Sequence, residues 1–248
     1  VSRGLGDVYK RQMYCHREPR FYLTVVWNGQ WFKWENRNTN FLYGQPDGGP
    51  THDAPQNGYL NRSRVSLDYI PRDNNHPYRP AIIFRMAEAY LSYAEALNES
   101  SERMSHKQEI LDNLNKIRHR AGIAEYGTGT DENGFTRIKI NFSDQKEVRR
   151  LIHKERRVEF VGEGVRYHDL RRWKTAHYGI GNLNEQGENP DWGVNGPDYG
   201  MNYYGTEYTD QGDNAFFKRT KYMDRVYPRK FYWYPIHQSE ICLLYTSP

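Results

Sequence analysis

The sequence predicts a mainly α-helical fold: tetratricopeptide-like helical hairpins that carry long irregular loops and a small β-hairpin. Three observations predict it. After Pro80, apolar residues recur at steps of three and four, the helical period. Glycines fall just past two of these stretches, at Gly122 and Gly162, where helices commonly stop. Upstream, Asn28-Gly29 lies between two β-prone runs, the strongest short hairpin signal.

Taken in order, residues 21–27 (FYLTVVW) and 30–34 (QWFKW) read as two strands closed by Asn28-Gly29, with Trp27 opposite Gln30. Side chains alternate along a strand, so Trp31 and Trp34 fall on opposite faces. One ring of this group is therefore expected to pack on the scaffold while another stays exposed. Residues 35–80, with QPDGGP and PRDNNHPYRP, read as a long irregular segment holding one extended piece at YLNRSRVSL. Helix is expected from Pro80 onward, with Ile83, Ala87, Tyr90, Leu91, Ala94 and Leu97 as its apolar stripe. A second helix is expected over about 106–121, with Ile110, Leu114, Ile117 and Ala121 inside. Ala87, Ala89, Ala94 and Ala96 permit close helix approach. Residues 145–160 and 166–177 repeat the helix–turn–helix arrangement after a Gly-rich excursion at 124–143. The repeat period of about 34 residues is stretched by that insertion. Residues 179–213 read as an ordered surface excursion, because so many aromatics argue against disorder. The run FFKRTKYMDRVYPRKFYWYPI reads as one or two short extended segments.

The segment 148–173, VRRLIHKERRVEFVGEGVRYHDLRRW, organises the rest. Val148, Leu151, Ile152, Glu155 and Glu159 share one helical face, which starts apolar and ends in two carboxylates. Buried carboxylates need partners. Beyond the break at Gly162 and Gly164, a short helix carries Arg166, Asp169, Leu170, Arg171, Arg172 and Trp173, and its arginines are expected to fold back onto Glu155 and Glu159. The competing reading of these carboxylates is acid/base chemistry or a metal site. Arginine at this density lowers carboxylate basicity and favours a structural ion-pair network.

The run ERRVEFVGEGVRYHDLRRW resembles the C-terminal region of the SusD/RagB family, outer-membrane glycan-binding lipoproteins of Bacteroidetes. RMAEAYLSYAEALNE (85–99), LNKIRHRAGI (114–123) and YWYPIHQSEI (232–241) agree in order and rough spacing, and the resemblance covers about residues 20–241. It implies an incomplete SusD-like α/α fold and non-enzymatic capture of oligo- or polysaccharide at the outer-membrane surface. It further implies a TonB-dependent (SusC-like) transporter as partner, and membrane attachment only through a lipid anchor on N-terminal sequence absent here. The alternative is a protein-interaction scaffold on helical repeats without direct glycan binding.

Composition narrows the function classes. Lys+Arg 35 against Asp+Glu 31 gives a net charge of +4, which implies neither nucleic acid nor an anionic membrane as partner. The chain is 15% aromatic, with 21 Tyr and 6 Trp, which suits a surface of flat amphipathic rings or, more plainly, a core short of leucine and valine. The longest uncharged run, FYLTVVWNGQWF, has 12 residues, short of the roughly 18 apolar residues a membrane helix needs. Residues 1–12 are not expected to be a signal peptide. VSRGLGDVYKRQ (1–12) and CLLYTSP (242–248) resemble translated adapter sequence, so the domain is expected to span 13–241 with foreign tails on either side. On that reading, Cys242 is not native, and exposed apolar surface is expected where missing sequence would sit. Cys15 and Cys242 give neither metal nor disulfide spacing.

The chain has no G-x-S-x-G elbow, no H-E-x-x-H and no phosphate-cradling loop. A glycosidase would need two carboxylates across a cleft, for which Asp191, Asp198 and Glu207 remain candidates. Sugar binding needs only rings to stack on pyranose C–H faces and polar groups for the hydroxyls. Trp27, Trp31, Trp34, Tyr43 and Asn36 offer one such cluster; Trp192, Tyr199, Tyr203 and Tyr204 offer another. No cofactor or metal site is expected, and calcium stays open.

Overall fold

The computed structural model describes residues 13–63, 65–66, 77–78, 82–179 and 193–234, and the backbone alone of Trp34. The fold is mainly helical, with α1 (Pro19–Thr24), α2 (Met86–Glu99), α3 (Lys107–Arg120), α4 (Gln145–Glu159) and α5 (Val165–Arg172). Three two-stranded ribbons accompany them: β1 (Val25–Trp27) with β4 (Tyr59–Asn61), β2 (Trp31–Phe32) with β3 (Arg37–Asn38), and β5 (Gly196–Gly200) with β6 (Thr220–Arg225). The chain divides into two compact units, Val1–Arg166 with Tyr199–Tyr222, and Tyr167–Asp198 with Met223–Pro248.

In the first unit, α2 packs on both α3 and α4. Leu91 and Ala94 of α2, Ile110 and Leu114 of α3, and Val148 and Ile152 of α4 are wholly buried in one cluster. Ala87 and Ala94 are the small residues that face this contact and let the helices approach. Asp144 caps α4, accepting hydrogen bonds from the amides of Lys146 (2.9 Å) and Glu147 (3.3 Å). A Schellman turn ends α3: the Ile123 amide donates to the Arg118 carbonyl (3.2 Å), and Gly122 has the left-handed φ of 66°.

Three boundaries differ from expectation. Helix starts at Met86, because Arg85 is extended (φ −142°, ψ 155°) and its guanidinium is tethered to α4. Ile83, expected on the apolar stripe, is 96% exposed. Residues 19–24 are helical, with Pro19 in the first turn, although FYLT reads as strand. The helix expected over 166–177 stops at Arg172, since Lys174 adopts φ 57° and the Thr175 amide donates to the Leu170 carbonyl (3.0 Å). This is again a Schellman turn, with lysine where glycine is usual.

The Asn28-Gly29 turn forms, with the Gln30 amide donating to the Trp27 carbonyl at 3.2 Å, but the flanking strands do not pair with each other. β1 pairs with β4, Trp27 opposite Tyr59, and β2 pairs with β3, Trp31 opposite Asn38. The cause is Asn28, wholly buried, whose Oδ1 accepts from the Phe41 amide at 2.7 Å, while Thr39 bonds across both sides of the turn. A second cluster lies beneath these loops: Tyr14, Phe41, Leu42, Met201, Phe216 and Phe217. In the second unit, Leu170, Ala176 and Tyr227 form a small core. Asn195 staples it by donating to the carbonyls of His177 (2.6 Å) and Tyr227 (3.2 Å).

Candidate functional site

The second cluster of the first unit holds two loops against each other. The loop after β3 is fixed by Arg37 and Asp47, a bidentate pair at 2.6 and 2.8 Å. Burial would raise the Asp47 carboxyl, but the Arg37 fork and the Asn40 amide hold it below the usual carboxylate range. That loop presents Tyr43, whose amide donates to the Gly205 carbonyl at 2.9 Å. On the second loop, buried Asn202 accepts from the Tyr204 amide (3.1 Å) and donates to the carbonyls of Asp213 (3.0 Å) and Ala215 (3.2 Å). Tyr208 reaches back to Asn40 with an O–H···O bond of 2.8 Å.

The two loops bring together Tyr43, Tyr203 and Tyr204. Ring centroids are 6.0 Å apart for Tyr43–Tyr203, 5.5 Å for Tyr43–Tyr204 and 5.1 Å for Tyr203–Tyr204. Tyr43 and Tyr203 are half-buried and support Tyr204, which is 70% exposed. Tyr204 is a supported, open ring whose two neighbours carry hydroxyls, and the Tyr43 loop also carries the Asn40 and Gln45 amides, bonded to each other at 3.3 Å. An apolar face and polar groups of this kind are what a sugar needs.

The other expected site residues are placed differently. Trp27 is a packing residue, 5.4 Å from Phe21, 5.3 Å from Tyr22 and 5.9 Å from Tyr14. Trp31 is 58% exposed on the β2–β3 ribbon. Asn36 takes the left-handed conformation (φ 50°) in that ribbon's turn. The Tyr199 ring has the Arg219 guanidinium over one face, 4.0 Å from its centroid. Trp192, the Trp34 side chain and both expected foreign tails lie outside the described residues. Of the glycosidase candidates, Asp198 is held by Arg225, Glu207 is exposed, and Asp191 lies outside the described residues. Among the described residues, no group of three or more His, Cys, Asp or Glu side chains could hold a metal. Within the same residues, no helix is long and apolar enough to cross a membrane.

Glu155 and Glu159 lie in a buried arginine network, but their donors differ from those expected. Glu155 meets Arg20 (2.7 Å) and Arg118 (2.9 Å); Glu159 meets Arg20 (2.9 Å), Arg85 and Arg120. Arg85 also forks onto Glu163 at 2.9 and 2.8 Å. The donors come from α1, from the residue before α2 and from α3, toward which α4 turns its carboxylate face, and Arg166 of the same unit is not among them. Within the second unit, Arg172 pairs with Asp169 on its own helix (2.9 Å). Arg171 there donates to the Tyr232 carbonyl (2.7 Å) and stacks on Tyr234. Arg20, Arg85, Arg118 and Arg120 went unforeseen, since no sequence spacing links them to α4.

The SusD family profile matches residues 8–244. Two SusD-like proteins of Formosa agariphila, P25 and P38, are each 32% identical, over 109 residues (44% of this chain, 18% of theirs) and 103 residues (42% and 19%) respectively. A SusD-like protein of Bacteroides fragilis superposes with a TM-score of 0.65 at 26% identity, covering 93% of this chain and 38% of that one. A SusD-like carbohydrate-binding protein of the same species superposes with a TM-score of 0.63 at 23% identity, covering 94% and 42%. The matches thus span under a fifth of the curated relatives and about two fifths of the solved chains. With a profile match along nearly its whole length and this shared architecture, the chain belongs to the SusD family.

Proposed function

We propose that this chain contributes the ligand-contacting surface of a non-enzymatic glycan-capture protein, with Tyr43, Tyr203 and Tyr204 as the sugar platform. The carrying observation is the geometry of Tyr204, open to solvent and backed by two further rings. The B. fragilis relative described as carbohydrate-binding supports the ligand class. Family membership supports the wider setting: attachment at the cell outer membrane through a lipid anchor, and delivery of the glycan to a TonB-dependent transporter. Catalysis is not part of the proposal, since buried Glu155 and Glu159 are committed to arginines.

Calorimetry on Tyr204→Ala with a panel of neutral oligosaccharides tests this. Loss of one stacking ring should cost about 1–3 kcal/mol of binding, a several-fold or greater drop in affinity, with the melting temperature nearly unchanged. Trp31→Ala is the control, on the exposed ring of the β2–β3 ribbon. A loss there with none at Tyr204 would move the site to the β2–β3 ribbon. Glycan silence with retained transporter binding would favour the interaction-scaffold reading.

A further inference from the structure

A groove of about 980 Å³ lies in the first unit, between α3 and the excursion that joins α3 to α4. It is well separated in sequence from the tyrosine platform. Its volume is in the range of small-ligand sites.

Several bonds fix the far wall. Asn115 of α3 holds Tyr126 by both backbone groups, donating to its carbonyl (2.9 Å) and accepting from its amide (2.8 Å). Arg118 donates to the Ala124 carbonyl at 2.6 Å. Asp131 gathers the amides of Glu125 (3.1 Å), Asn133 (3.0 Å) and Phe135 (2.8 Å). Glu125 is clasped between His119 (3.2 Å) and Arg137 (2.8 Å). The groove is therefore preorganised, which lowers the entropy cost of filling it.

Its lining is mixed. Tyr90, Leu111, Ile140 and Phe142 form an apolar floor, each only half-buried although packed on the core. Around it stand Lys107, Gln108, Asp112, Lys116, Glu132 and Lys139. The Lys116 ammonium sits 4.6 Å from the Tyr90 ring centroid, steered to the wall by the ring's negative face. Charges of both signs interleaved with an amide suit a ligand that donates and accepts many hydrogen bonds yet carries no net charge.

A peptide fits less well. Adding a strand needs a free backbone edge, and the excursion spends its groups internally: Gly127 to Ile138 (2.9 Å), Ile138 to Glu125 (2.8 Å) and Arg137 to Gly129 (2.9 Å). An amphipathic helix needs a row of apolar anchors, whereas Leu111 is the one apolar residue α3 gives to the lining.

We propose that this groove is a second carbohydrate-binding site, taking a neutral oligosaccharide laid along α3, apolar faces on the Leu111–Phe142 floor and hydroxyls on the Asp112–Lys116 rim. The proposal rests on the reading of the chain as a glycan binder, but not on the tyrosine platform. The test is nitrogen-15 NMR of the full 248-residue chain. The side-chain amide of Gln108 reports on the groove and that of Gln45 on the platform loop. Maltohexaose, cellohexaose, xylohexaose, mannohexaose and laminarihexaose are titrated to millimolar concentration, with hexaglutamate and hexaglycine as peptide probes. The expected result is a saturable shift of Gln108 with at least one sugar. Asp112→Ala with Lys116→Ala, both on exposed helix surface, should weaken it at least about tenfold and leave the Gln45 response unchanged. A Gln108 shift with Gln45 silent would uphold the groove and remove the platform. A Gln108 amide silent to all five sugars, a shift that survives the double variant, or a response to the peptides alone would each overturn the proposal.

Discussion

Glu155 is nearly enclosed, and its two oxygens face different guanidinium groups, Arg20 on one side and Arg118 on the other. Removing the carboxylate would strand charge that is itself close to buried, with Arg118 pressed on the Tyr126 ring at 4.1 Å. Glu155→Ala should therefore cost about 3–5 kcal/mol of stability, the usual penalty for breaking a buried pair. A chemical-denaturation midpoint within error of wild type would refute this. At this scale the sequence disclosed half the arrangement. The period of α4 places Glu155 and Glu159 on the face that carries Val148 and Ile152, because a helix face is a local property. Their partners follow from how α1, α2 and α3 meet α4, which no spacing within 148–173 encodes. The nearer arginines beyond Gly164 were the natural expectation and the wrong one.

Elements whose boundaries are set by local chemistry were legible: the Gly122 stop is one case. Elements set by distant groups were not. Asn28-Gly29 makes its turn as expected, yet burial of the Asn28 side chain on Phe41 sends β1 to β4 instead of β2. The α5 stop was hidden because lysine fills the left-handed position. The tyrosine platform likewise joins residues from the two clusters the sequence offered separately, Tyr43 from one and Tyr203 with Tyr204 from the other. Gly205 makes that junction possible. A Cβ there would lie 2.4 Å from the Phe216 Cα and 2.7 Å from its amide nitrogen, backbone that cannot step aside as a side chain could. Gly205→Ala should force the two loops apart, costing about 1–3 kcal/mol as an overpacking change. It should also weaken oligosaccharide binding, although residue 205 has no side chain to touch a ligand. Unchanged stability together with unchanged affinity would show that the Tyr43–Gly205 contact is incidental.

Across the molecule, the α2–α3–α4 scaffold was readable and the loops above it were not, for a physical reason. Helix packing repeats every turn, so even a short window carries the signal, whereas loop-to-loop contacts such as Tyr208 with Asn40 occur once. Ile83 has the spacing of the α2 stripe yet stands exposed, as do its neighbours Ile82, Phe84 and Met86. Glu159 ties the first unit into a single acid-sensitive body, since Arg20 of α1, Arg85 before α2 and Arg120 of α3 converge on one carboxylate of α4. Burial alone would raise that carboxyl, but hydrogen bonds from Arg120, Arg85 and Arg20 outweigh it and hold the group below its ordinary value. A carboxyl depressed in the native state binds its proton less readily than in the unfolded chain, where glutamate titrates near about pH 4.3. Its stabilisation is thus fully present above that pH and is lost as pH falls through the depressed native value. Asp47 and Asp131 are depressed as well, and act in the same direction. Urea midpoints should be flat from about pH 7 to 5 and fall steeply below about pH 4. Glu159→Gln should start less stable and lose less on acidification, because its site no longer takes up a proton on unfolding. An acid slope equal to wild type in that variant would place the acid sensitivity elsewhere in the chain.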